Sequence, residues 1–185
     1  MARPKRALKA RPEPRDGAAG AIPPVAVVVS RYNSTVTSSL LDGAKRAFAQ
    51  RGGREQGLSV VEAPGAFELP ALCLAAARTG RFAGVVALGC LVKGETRHDR
   101  YIAGAVAQGL VDITVATGVP VCFGVLTVDT VEQAVARSGG AKGNKGADAM
   151  EALIETMAAM NSLRAGRTAA RTTPKPDKVA RAASR

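Results

Sequence analysis

Between residues 23 and 165 the apolar positions switch back and forth between the period of a strand and the period of a helix. After the Pro23-Pro24 breaker, "VAVVVS" is a β-branched run with no polar alternation, as a strand buried on both faces requires. "TVTSSLLDGAKRAFAQRGG" follows, with Val36, Leu40, Leu41, Ala44 and Phe48 near three-and-four spacing and Gly52-Gly53 to stop it, which predicts a helix. The cycle repeats. "LSVVEA" predicts a strand, "PGAFELPALCLAAARTG" a helix opened by Pro64 and closed by Gly80, and "FAGVVALGCLV" another buried strand. A long helix through about Thr117 comes next, then the strand "VPVCFGVLTV" after Gly118-Val119-Pro120. Two helices end the body: "DTVEQAVARSGG", capped by Asp129 or Thr130, and a longer one from about Asn144 to Ala165.

Repeated strand-helix alternation predicts a doubly wound α/β domain with a parallel sheet, right-handed crossovers and helices on both faces. Ligands of such sheets bind beyond the carboxyl ends of the strands. The unusual stretches "SRYN", "APGAFE", "LVKGETRH" and "GVLTVDT" each follow a predicted strand, so the candidate site lies there.

Composition narrows the class. The apolar fraction of 46% is built from Ala and Val, with two Tyr, four Phe and no Trp, so any aromatic at a strand end stands out. No run approaches the roughly eighteen apolar residues of a membrane span, and the N-terminus has no apolar signal core, so a soluble, cytoplasmic protein is expected. Cys73, Cys90 and Cys122 lie inside apolar stretches without metal-ligand spacing and read as reduced core residues.

The formal charge of +11 invites a nucleic-acid reading, but its distribution argues against one. Residues 1–22 carry six Lys/Arg against two acids, and residues 166–185 carry six against one. The body between them holds fourteen bases and twelve acids. Both ends mix Pro, Ala, Arg and Lys without apolar period, so they read as a basic disordered extension and a basic disordered tail around a domain at 23–165. They lack interleaved aromatics, which leaves weak contact with nucleic acid as the most they are expected to make.

The strand-end stretches carry chemistry. In "KGETRH", Gly94 permits a close turn, and the N-H groups of Glu95 and Thr96 at a helix start form a seat for a phosphate or carboxylate. His98, the single histidine, sits beside that seat and is suited to moving protons near neutral pH. A capping box beside an incidental histidine is the alternative. In "APGAFE", Phe67 is either core or pocket wall, and Glu68 in a helix's first turn can accept from polyol hydroxyls. Tyr32 is either a stacking surface or a cover for the sheet end, with Asn33 able to bond a heterocycle edge. "ARSGGAKGNKGADA" offers Arg137 as a bidentate phosphate clamp and Lys145 as a point charge. It lacks P-loop spacing, and no Gly-x-Gly-x-x-Gly follows the first strand, which excludes the common nucleotide and dinucleotide sites.

Taken in order, "RYN" with "TSSLLDGA", "PGAFELP", "LGCLVKGETRHDRY", "GVPVCFGVLT" with "TVEQAVARSG", and "GNKGADA" closely resemble the lumazine synthase family, from about Val25 to Leu163. The resemblance implies a flavodoxin-like three-layer sandwich with a four-stranded parallel sheet. It implies a transferase of riboflavin biosynthesis that condenses 5-amino-6-(ribitylamino)uracil with 3,4-dihydroxy-2-butanone 4-phosphate, releasing phosphate and water, without cofactor or metal. By position, Tyr32 and Asn33 would hold the pyrimidine, Ala66 and Phe67 would line the pocket, Glu68 would take the ribityl hydroxyls, and Leu91 and Val92 would present backbone groups to the uracil. Gly94, Glu95, Thr96 and Arg137 would hold the phosphate, His98 would transfer protons, and Phe123 and Lys145 would complete the site. The family supplies Phe123 and the Arg137 to Lys145 segment from a neighbouring subunit, in pentamers or shells of twelve pentamers. Relatives commonly place an aromatic and then an acid after the histidine; this chain has Asp99 and Arg100.

Overall fold

The computed structural model describes residues 22–171, with side chains as far as residue 165. The basic extension before Ile22 and the tail beyond Arg171 lie outside the described residues. In chain order the elements are β1 (Val25–Ser30), α1 (Ser34–Gln50), a single 3-10 turn (Glu55–Gly57), β2 (Leu58–Ala63), α2 (Leu69–Arg78), β3 (Gly84–Val92), α3 (His98–Thr117), β4 (Val121–Val128), α4 (Val131–Arg137), a short antiparallel pair β5 (Ser138–Gly140) and β6 (Gly143–Asn144), and α5 (Lys145–Arg171).

The main sheet is four-stranded, ordered β2-β1-β3-β4, and every pairing in it is parallel. The expected flavodoxin-like three-layer architecture is therefore present. Because strand side chains alternate, β1 feeds two cores at once. Val25, Val27 and Val29 pack with Leu40 and Phe48 of α1 and with Met150, Leu153 and Met157 of α5. Ala26 and Val28 pack on the opposite face with Leu69 and Cys73 of α2 and with Val106 and Leu110 of α3. That double burial is why "VAVVVS" shows no polar alternation. β2 is an edge strand, and its Val60 and Val61 stay exposed.

Two boundaries differ from expectation, and a third is decided between the alternatives. α2 opens at Leu69 rather than Pro64; residues 64–68 form a tight turn, and Pro70 takes the first turn of the helix, where a missing N-H costs no hydrogen bond. Of the two candidate caps for α4, Thr130 serves: its hydroxyl accepts from the Gln133 amide at 3.3 Å, while Gln133 Oε1 accepts from the Asp129 amide at 3.1 Å. The backbone of α5 continues past Ala165 to Arg171.

Burial pushes the Cys73 thiol up to about 12 and the Cys90 thiol up to about 11, and it raises Cys122 as well. Unfolded thiols ionise near pH 8.5, so above that the unfolded chain binds fewer protons than the folded one, and stability should fall as pH rises toward 12. At pH 8, thiol labelling of the native protein should leave Cys73 and Cys90 unmodified until denaturant is added; fast labelling of both in the folded state would contradict this packing.

Candidate active site

The chain leaves β1 through Arg31 and Tyr32 and turns at Asn33, which adopts a left-handed conformation (φ 55°), the one non-glycine positive φ among the described residues. Asparagine tolerates this region better than other side chains. Its carbonyl accepts the amides of Val36 and Thr37 at 2.9 and 3.0 Å, starting α1, and its side-chain amide donates to the Cys90 carbonyl of β3 at 2.9 Å. Asn33 thus ties the β1-α1 turn to the neighbouring strand at the switch point of the sheet. Tyr32 is 74% exposed, so it does not cover the sheet end; with Arg31, Asn33, Ser34, Thr35, Val36 and Val131 it lines a cleft of about 440 Å³.

After β2, the turn places Ala66 and Leu69 in the core and leaves Phe67 63% exposed at the same edge as Tyr32. Glu68 occupies the residue before α2 and is also exposed, making no side-chain cap. At the end of β3, Leu91 and Val92 are half-buried and Gly94 to His98 are exposed. His98 is the first residue of α3, whose preceding residue, Arg97, makes no side-chain cap either. The capping-box alternative is therefore absent. The Lys93 amide bonds the Val128 carbonyl at 2.9 Å, but the next N-H groups, Gly94 through Asp99, meet no acceptor among the described residues. A run of open donors at a helix start has the chemistry to receive an anion.

The remaining expected site residues lie elsewhere in the chain. Phe123 pairs with Ala87 and stands five residues short of Val128, the end of β4, which puts it on the order of 15 Å below the strand ends. Arg137 closes α4, and its guanidinium folds back onto the Gln133 carbonyl at 3.1 Å. Lys145 opens α5 and pairs with Asp148 at 2.7 Å. The strand ends carry Tyr32, Asn33, Ala66, Phe67, Glu68, Leu91, Val92 and Gly94 to His98, whereas Phe123 lies well down β4 and Arg137 and Lys145 are turned to partners of their own helices.

The "GNKGADA" stretch also has a structural task that its charges obscured. Asn144 donates to the carbonyls of Ser39 and Ser138 at 2.7 and 2.9 Å and accepts the amides of Gly146 and Ala147, capping α5. Gly43 leaves room for the Asn144 side chain, and a Cβ on Gly146 would collide with the Leu40 backbone of α1. These contacts fix where α5 starts and hence where Lys145 stands. A second cleft, about 210 Å³, opens between the β3-α3 loop and the end of β4, lined by Lys93, Arg97, Asp99, Arg100, Thr127, Val128 and Asp129. Lys93 lies 3.8 Å from Asp129 across it, a contact with no signal in the sequence beyond two opposite charges at neighbouring strand ends.

Comparison with known proteins identifies the family. The family model for 6,7-dimethyl-8-ribityllumazine synthase matches residues 23–161. The chain belongs to the 6,7-dimethyl-8-ribityllumazine synthase family. Among relatives of that name, the protein of Deinococcus deserti is 46% identical over 132 residues, covering 71% of this chain and 85% of its own length. The Nautilia profundicola protein is 43% identical over 131 residues, covering 71% and 85%. That of Deinococcus radiodurans is 46% identical over 131 residues, covering 71% and 84%. The chain is accordingly a transferase of riboflavin biosynthesis, and its reaction is the lumazine synthase condensation of the ribitylaminouracil with the butanone phosphate.

Two substitutions test the local architecture by urea unfolding. Asn33→Ala should cost roughly 2 kcal/mol, through the lost Cys90 bond and the left-handed backbone, and Asn33→Gly should recover part of it. Gly146→Ala should cost about 2 to 4 kcal/mol, because the α1-α5 approach cannot accept a methyl group. A neutral Gly146→Ala would refute the close approach.

Proposed function

We propose that the condensation takes place along the carboxyl edge of the sheet, in a site that two neighbouring copies of the chain complete. The observation that carries this reading is the division of the expected residues. An anion seat, a histidine and two exposed aromatics share one edge, while Phe123 lies well down β4 and the charges of Arg137 and Lys145 are turned to Gln133 and Asp148 of their own helices. A second copy offering those three would add a bidentate clamp for the phosphate and a further pocket wall to the edge.

In this site Tyr32 stacks on the pyrimidine and Phe67 and Ala66 wall it in. One N-H of the Asn33 side-chain amide is engaged with Cys90, which points the group so that its oxygen can accept a ring N-H. Leu91 and Val92 present backbone groups to the uracil edge, and Glu68 takes the ribityl hydroxyls. The phosphate rests on the open N-H groups of Gly94, Glu95 and Thr96, clamped by the neighbour's Arg137, with Lys145 adding charge. Attack of the aryl amine on the ketone, loss of phosphate and ring closure with loss of water require protons to move but no strong nucleophile. His98 moves them beside the seat, and holding both reactants together supplies much of the rate. No metal or cofactor takes part in this scheme.

The assembly is a pentamer or a shell of twelve pentamers. It is supported by apolar surface left open on α3, where Tyr101, Val111 and Val115 are 79%, 57% and 80% exposed. The enzyme works in the cytoplasm; no helix among the described residues is long and apolar enough to cross a membrane. The body at 23–165 carries catalysis, and the basic ends make at most weak, salt-sensitive contact with nucleic acid.

His98→Ala should slow turnover by roughly 10-fold to 100-fold. Arg137→Ala should chiefly raise KM for the butanone phosphate. Coexpressed in equal amounts, the two variants should regain about a quarter of wild-type sites, because each intact site draws its histidine and its arginine from different chains. Mixed assemblies as inactive as either parent would refute the shared site.

A further inference from the structure

The departure at Asp99 is the feature that the reaction scheme leaves unused. Asp99 follows the histidine directly, in the first turn of α3, and its Oδ1 is buried with no hydrogen-bond partner. A buried acceptor left unmade costs about 1 to 3 kcal/mol, and more when it is charged, so natural structures retain such a group only for a reason. The same 210 Å³ cleft holds possible donors: the guanidinium groups of Arg97 and Arg100 are exposed and make no hydrogen bond or ion pair among the described residues. Lys93 is already turned toward Asp129. One carboxylate without a donor and two guanidinium groups without an acceptor therefore share one space.

Of the two arginines, Arg97 is placed to convert pairing into positioning. Arg100 belongs to the helix that already carries Asp99, so their union would fix nothing new. Arg97 ends the loop that forms the anion seat, and a bond from its guanidinium to Asp99 would draw that loop onto the first turn of α3. Both open N-H groups at that turn, those of His98 and Asp99, and the imidazole itself move with it.

We propose that Asp99 is a positioning residue: its buried carboxylate oxygen receives Arg97 when a phosphate fills the seat, locking the loop and holding His98 in its working place. This deepens the reading of the seat given above and rests on it. In the empty protein the latch is open and Asp99 bears the cost of an unmade bond. The phosphate, by ordering the Gly94 to Thr96 backbone, turns Arg97 inward.

The latch and simple electrostatics predict opposite signs, which makes the test decisive. Asp99→Asn removes a negative charge close to an anion seat, so Coulomb attraction alone would make phosphate bind more tightly. The latch makes it bind more weakly, by roughly 5-fold to 10-fold. The full-length assembly would be titrated with inorganic phosphate by calorimetry and thermal shift, using wild type, Asp99→Asn, Arg97→Gln and the double variant. Expected are weaker binding in each single variant, a double variant no weaker than either, and a phosphate-free melting temperature of Asp99→Asn at or above wild type. In turnover assays Asp99→Asn should lower kcat while leaving KM for the ribitylaminouracil unchanged. Tighter phosphate binding by Asp99→Asn, or additive losses in the double variant, would overturn the latch. Because phosphate binding is read without turnover, an inactive wild-type preparation would count against the reaction scheme and not against the latch.

Discussion

The rest of the molecule depends on one geometric constraint, that parallel strands can be joined only by crossovers that return the chain to the same edge. Each strand must therefore deliver its carboxyl end, and the helix that follows must begin, on one side of the sheet. The turns after β1, β2 and β3 bring Tyr32 and Asn33, Phe67 and Glu68, and the Gly94 to His98 loop to that side without any direct contact to gather them. The open amides of the loop are a product of the same rule, since a helix start leaves its first N-H groups without internal partners. The run of open donors is a property of the topology before it is a property of any side chain.

The constraint is costly to satisfy, and the sequence shows where the support comes from. A sheet with helices on both faces needs its central strands apolar on both sides, and β1 and β3 meet that demand with valine, alanine and cysteine. Small residues let the helices come close: Gly146 against Leu40, Gly43 beneath Asn144, and Gly124 of β4, where a Cβ would crowd Leu88. Asn144 and Asn33 supply specific hydrogen bonds at the two places where a loop must be tied to a neighbouring element. These residues hold the frame, and the exposed side chains at its edge are free to serve chemistry.

Exposure is what separates the two roles at that edge. Tyr32, Phe67 and His98 stand open, which a core residue could not do without loss of burial energy. Asp99, one position beyond the histidine, is partly covered, and its buried oxygen is the polar atom whose environment least resembles a finished fold. Local strain of this kind gathers at working sites.

Much of this was legible in the chain. The elements, their parallel arrangement and the family all followed from apolar period, turn residues and ordered motifs, because those signals are local and each states its own geometry. The start of α2 was misjudged because Pro64 opens a turn as readily as a helix, and only the packing of Leu69 decides between them. Whether Tyr32 and Phe67 were core or pocket could not be read from single residues, since burial depends on what lies across from them. The double duty of Asn33, the capping by Asn144 and the unpartnered oxygen of Asp99 were invisible for the same reason. Each involves partners that sequence distance does not reveal, such as Cys90 for Asn33 and Ser39 for Asn144. The sequence by itself determined the elements, their parallel order and the family, because apolar period, turn residues and ordered motifs are local signals. The tertiary structure decided which side chains are open to a ligand, and which are already committed to holding the frame.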